Sequence, residues 1–190
     1  MPKFAFRNLI CWIGLLVFCS FILQNNERLI WSKSKPPQWE DFMGQPDAHS
    51  DFKAYTSFYI SWKTEIKDDT LIVSMNNFFE KNLSWVKEDR RKELLLHEQF
   101  HFNISEVYTR IMRKNISELK LKREDIQSSI DKEFKHQHFL LGGYTIKYDK
   151  ETKHGLLPEK QKEWETKIAA QLDEYKDFSD TLVKIIMIDK

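Results

Sequence analysis

Between residues 54 and 67 apolar and polar positions alternate. Phe58, Ile60, Trp62 and Ile66 share one face, and Tyr59, Ser61, Lys63, Glu65 and Lys67 share the other. A period of two is that of a half-buried strand. Lys67-Asp68-Asp69 is a turn signal and residues 70–75 form a second β-rich run, so the pair predicts a hairpin. Beyond about Asn82 the pattern becomes helical. Residues 94–114 are rich in helix formers, and Ile126, Ile130, Phe134 and Leu141 recur at helical spacing. Trp164, Ile168, Leu172 and Tyr175 do the same after Pro158, which suits a helix start. The expected fold class is therefore α+β: an N-terminal β-hairpin or small antiparallel sheet packed on a C-terminal helical part.

The N-terminus follows a different pattern. Lys3 and Arg7 precede an apolar run over residues 9–23, and no acidic residue occurs before Glu27. Fifteen residues fit the apolar region of an export signal and fall short of the ~20 needed to span a bilayer. Residues 1–24 are expected to be a signal peptide or membrane anchor, 25–38 a linker and 39–190 one domain. That domain would lie outside the cytoplasm: periplasmic, secreted or membrane-anchored. Val17-Phe18-Cys19-Ser20 is a loose cleavage site, so anchoring through residues 9–23 stands as the alternative.

Composition narrows the choice of function. The chain has 190 residues, of which 41% are hydrophobic and 31% charged, enough for one buried core. Thirty basic residues against 29 acidic ones leave a net charge of +1, with no electrostatic footprint for nucleic acid. Both cysteines, Cys11 and Cys19, fall in the first segment. The domain therefore has no thiol for a disulfide, a zinc ligand or a nucleophile.

One motif carries chemistry. His97-Glu98-Gln99-Phe100-His101 is HExxH, in a segment expected to be helical. Residues four apart lie on one helix face, so both imidazoles can reach one zinc ion. Glu98 is rotated roughly 100° from His97, beside the metal, where it can accept a proton from water. An ordinary amphipathic helix with two surface histidines is the plainer account of the same residues. A catalytic zinc also needs a third protein ligand. Glu106 points elsewhere and suits a pairing with Arg110 one turn on. Glu118, Glu124, Glu133 and His136 read as solvated positions. His138 lies on the apolar stripe with Phe134 and Leu141, as an alternative ligand or a satisfied core histidine. His154 sits in a polar segment between two expected helices, beside Gly155, where it is either a ligand or incidental to a turn. Asp149 and Thr152 are candidates for orienting imidazoles from behind the metal.

HEQFHFNISEVYTR, followed some fifty residues later by YDKETKHG, resembles a bacterial family of predicted secreted zinc-dependent proteases long classed as a domain of unknown function. The family pattern has a HEQxHF(D)IxE helix, a later YDxxTxHG segment, and then Gln and Trp, matched here by Gln161 and Trp164. Trp39-Glu40-Asp41-Phe42 suits the family start, and the likeness runs from about Trp39 to Leu172. Asn103 stands where the family commonly has Asp. The resemblance implies His97, His101 and His154 as zinc ligands and Glu98 as general base.

The expected activity is hydrolysis of a protein or peptide substrate by zinc-activated water, in a zincin-like metallopeptidase domain. Tyr148 and Tyr144 are candidates for stabilising the developing oxyanion, with packing roles as the alternative. The strand over residues 54–67 would align an extended substrate if it lies at a sheet edge. The second class is a non-catalytic zinc-binding envelope protein or interaction module.

Overall fold

A computed structural model describes residues 27–188. The expected export or anchor segment, residues 1–24, lies outside them. The strands are β1 (Arg28–Ile30), β2 (Ala54–Tyr55), β3 (Phe58–Lys67), β4 (Thr70–Glu80), β5 (Trp85–Val86) and β6 (Leu182–Ile186). The helices are α1 (Lys92–Ser117), α2 (Ile126–Thr152) and α3 (Pro158–Glu174). The α+β class is as the sequence predicts. Among the described residues no helix is long and apolar enough to cross a membrane.

The hairpin forms with Lys67 opposite Thr70. Asp68 takes the left-handed conformation at its turn, φ 53°, which aspartate tolerates better than most residues. β4 is the central strand. Every second residue, Leu71, Val73, Met75, Asn77 and Phe79, is buried against the helical layer. β3 pairs along one edge of β4, while β1 and β6 pair end by end along the other. Ile104, Val107, Met112 and Ile116 of α1 pack into the same core, joined by Ile130 and Leu141 of α2 and Ile168 of α3.

Four sequence expectations change. The strand expected over residues 54–67 is two strands broken at Thr56-Ser57. There Thr56 Oγ1 donates to the Glu98 carbonyl (3.1 Å) and the Ser57 amide donates to Ser84 Oγ (2.9 Å). β2 thereby leaves the main sheet and pairs with β5 over the start of α1. The segment beyond Asn82 is not all helical, because β6 returns to the sheet with Val183 and Ile185 facing the core. Residues expected as linker belong to the fold. β1 pairs with β4, Trp31 Nε1 donates to Asn103 Oδ1 (2.9 Å), and Gln99 donates to the Pro37 carbonyl (2.7 Å). Finally, α2 runs on through Thr152, so Tyr148 and Asp149 stand on helix rather than in a loop.

The predicted Glu106–Arg110 pair forms inside the core. Glu106 Oε1 accepts from Arg110 Nε (3.0 Å) and from Arg113 Nη1 (3.1 Å). The arginines also donate to the carbonyls of Leu172, Phe178 and Met75, tying α1 to the end of α3 and to β4. This triad fixes the helix that carries HExxH relative to the sheet.

Candidate metal centre

His97 and His101 lie one turn apart on α1 and face the last turns of α2. Asp149 Oδ1 reaches both, at 3.0 Å from His97 Nε2 and 2.9 Å from His101 Nε2, and the two Nε2 atoms are 3.3 Å apart. These three side chains form a group able to hold a metal ion. Tetrahedral zinc bonded at 2.0–2.1 Å needs ligand atoms about 3.3 Å apart, close to the triangle found.

The chemistry of the donors agrees with that geometry. Gln161 Oε1 lies 3.2 Å from His97 Nδ1. Gln161 Nε2 donates to the Tyr148 hydroxyl (2.9 Å), which in turn donates to the His97 carbonyl (3.2 Å). With its amide nitrogen so engaged, Gln161 offers His97 only an acceptor. His97 therefore carries its proton on Nδ1 and presents a lone pair at Nε2. A lone pair facing a carboxylate oxygen at 3.0 Å calls for a proton or a cation between them. Burial opposes charge on both Asp149 and His101. The hydrogen bond between them and the charge of the His101 imidazole, together with those of His97 when its ring is protonated, offset this and hold the Asp149 carboxyl well below the usual carboxylate range. The same contact raises the His101 pKa above its ordinary 6.5.

The loop after α2 is shaped around this group. Lys153 and His154 are both left-handed (φ 49° and 54°), followed by Gly155 at φ 75°. Left-handed backbone is uncommon outside glycine, and two such residues in a row carry strain of the kind found at functional sites. The turn brings the chain back across His97 and leads into α3, which supplies Gln161.

Glu98 is 4% exposed, and its Oε2 has no hydrogen-bond partner. It lines a cleft of about 500 Å³ together with His97, His101, Asp149 and His154. The apolar walls of the cleft come from Phe52, Phe58, Leu94 and Leu156. Residues 53–56, including β2, run along it. Lys53 turns its carbonyl toward β5, where the Lys87 amide donates to it (2.8 Å). Antiparallel strands alternate the direction of their backbone groups, so Ala54 turns its N–H and C=O away from β5.

The other sequence candidates fall in different places. His154 stands beside the group rather than in it. Its Nδ1 is 3.5 Å from Asp149 Oδ1, its side chain is half exposed, and its ring packs on Phe52 with centroids 5.1 Å apart. The group able to hold a metal has Asp149 as its third member where His154 was expected, because the extended helix α2 aims the carboxylate at both imidazoles. Tyr148 is fully buried and stacks on His97 (4.6 Å), and its hydroxyl is committed to Gln161 and the His97 carbonyl, not to the cleft. Burial pushes its phenol pKa well up. The Tyr144 hydroxyl donates to Gln171 (2.7 Å), away from the metal group, so both candidate tyrosine hydroxyls are engaged outside the cleft. His138 is exposed on α2 and stacks on Phe134; Gln137 holds the buried position expected for it. Asp149 as a member of the group is not legible in the sequence, because its segment reads as loop. Extending the α2 stripe by one heptad, from Leu141 to Tyr148, puts Asp149 on the helix, and the packing of α2 against α1 then brings it to His97.

No protein-family model, curated protein or solved structure matches the chain. The likeness to secreted zinc-dependent proteases therefore rests on the motifs themselves.

Proposed function

We propose that the protein is a zinc-dependent hydrolase that cleaves peptide bonds, with His97, His101 and Asp149 as ligands and Glu98 as general base. The observation that carries this reading is Glu98 itself. A buried carboxylate oxygen without a partner is costly unless it has work to do. Glu98 is one of the residues that line the cleft, together with His97, His101 and Asp149. A divalent ion bound by these residues supplies Lewis acidity and makes water acidic enough to attack at neutral pH. Glu98 takes the proton from the attacking water and passes it to the leaving amine. Gln161 holds the His97 tautomer, and Tyr148 holds Gln161. β2 runs along the cleft, where an extended chain can lie beside it, which favours a peptide over a compact substrate. The apolar walls favour a large apolar side chain next to the scissile bond.

The deciding experiment compares wild type with Glu98→Gln. Both should hold about one zinc per chain, while cleavage of a peptide library should fall at least a hundredfold in the variant. Undiminished, chelator-sensitive cleavage by Glu98→Gln would remove Glu98 from the chemistry.

A further inference from the structure

Hydrolysis through a tetrahedral intermediate puts negative charge on the substrate's carbonyl oxygen, and a pre-aimed donor there is worth a large part of the rate. Both tyrosine hydroxyls near the site are committed elsewhere. Thr56, although it lines the cleft, donates its hydroxyl to the Glu98 carbonyl. His154 is differently placed. Its ring lines the cleft, is half exposed, and makes no contact with Asp149 shorter than 3.5 Å, too long for a good hydrogen bond. The donor is thus close to a ligand atom yet unspent.

The backbone indicates that this placement is specified. His154 and Lys153 hold left-handed conformations that side chains other than glycine seldom adopt. The His154 amide donates to the Asp149 carbonyl (3.0 Å), tying the loop to the residue whose carboxylate joins the metal group. Phe52, arriving from the far wall, packs on the imidazole and limits its swing. A ring held only by a surface turn would need none of these restraints.

We propose that His154 is a catalytic residue and not a metal ligand: its imidazole N–H donates to the carbonyl oxygen of the scissile bond as that oxygen gains charge. The proposal rests on the hydrolase reading above. No bond is made or broken at His154. The proton removed from water travels through Glu98, and His154 only donates a hydrogen bond that strengthens as the carbonyl becomes tetrahedral.

The test uses His154→Ala and His154→Gln in the full chain, with zinc content measured by elemental analysis. The probe is a phosphinic pseudopeptide with apolar flanking side chains, whose tetrahedral P–O⁻ mimics the charged oxygen. Its affinity is read by calorimetry on zinc-loaded protein. The expected result is unchanged zinc in both variants, probe affinity about 10- to 100-fold weaker in His154→Ala, and partial recovery in His154→Gln. On peptide substrates kcat should fall about a hundredfold while KM stays within a few-fold. Loss of zinc from His154→Ala would overturn the proposal and make His154 a ligand. Equal probe affinity in wild type and both variants would overturn it while leaving the hydrolase reading intact. A zinc-loaded wild type that neither binds the probe nor cleaves peptides would overturn both.

Discussion

Gly155 lies so close to His97 that a β-carbon on it would come within 2.9 Å of the His97 Cβ and 3.2 Å of its Cγ. The loop after α2 is therefore the wall that the first histidine of HExxH rests against. Gly155→Ala meets two penalties together, a left-handed φ and a steric clash with a buried ring. It should destabilise the protein by about 1–3 kcal/mol and tilt His97 off the metal position. Thermal unfolding with and without zinc would check this. A variant that melts like wild type and binds zinc equally well would show that the loop yields freely.

Gln161 is placed to fix the His97 ring, and so to support a metal ion held there, without joining the ligand group. Replacing it by Leu keeps the volume, removes the acceptor at His97 Nδ1 and frees the ring to take the other tautomer. Zinc affinity should fall about 10- to 100-fold. The Tyr148 hydroxyl loses a partner as well, so Tyr148→Phe is the control. It should change zinc affinity far less, because the acceptor at Nδ1 remains. Competition against a chromogenic chelator gives both numbers.

Asp149 and His101 predict how metal-free protein responds to pH. His101 has its pKa raised above 6.5 in the folded state, so its contribution is full below 6.5 and is lost as pH rises through the folded value. Asp149 has its pKa lowered from 3.8, so its contribution is present above 3.8 and is lost as pH falls through the folded value. The pair thus stabilises metal-free protein most between pH 3.8 and 6.5. Zinc needs His101 neutral, so its affinity should drop as pH falls through the same imidazole. Melting curves of chelated protein should show the acid-side benefit, and Asp149→Asn should abolish it along with most zinc binding. Equal zinc content in Asp149→Asn would take Asp149 out of the ligand set.

The unequal legibility of the fold follows from the length of each signal. The hairpin was readable because Phe58, Ile60 and Trp62 alternate over a ten-residue strand opposite the strict alternation of β4. β6 was not, since Leu182–Ile186 is five residues that gain meaning only by pairing with residues 70–74, over a hundred positions away. The HExxH pair was visible because one helix turn fixes both histidines. The third ligand depends on how α1, α2 and α3 pack, which no local spacing encodes. His154 stands out in the sequence as the histidine of the expected loop, whereas in the fold the Asp149 carboxylate is the group that meets both imidazoles. Gln161 was visible only through the resemblance, since its role appears once Tyr148 and His97 are neighbours.

Glu98 and Glu106 make a paired comparison on one helix. Both are buried, at 4% and 2% exposure, yet their surroundings are opposite. Glu106 neutralises two buried arginines, whereas Glu98 has an oxygen with no partner. Glu106→Gln would leave both guanidinium groups without a counter-charge in the core. Breaking a buried pair this way costs about 3–5 kcal/mol, so the variant should melt far lower or fail to fold. Glu98→Gln changes a side chain whose Oε2 has no hydrogen-bond partner in the fold, so its melting temperature should hold or rise. The expected outcome is a crossover: the stability loss belongs to Glu106 and the activity loss to Glu98. Denaturant unfolding of both variants, beside zinc content and peptide cleavage, measures each axis separately. A Glu98→Gln protein destabilised as much as Glu106→Gln would mean that Glu98 is held for the fold, and the case for its catalytic role would lose its foundation.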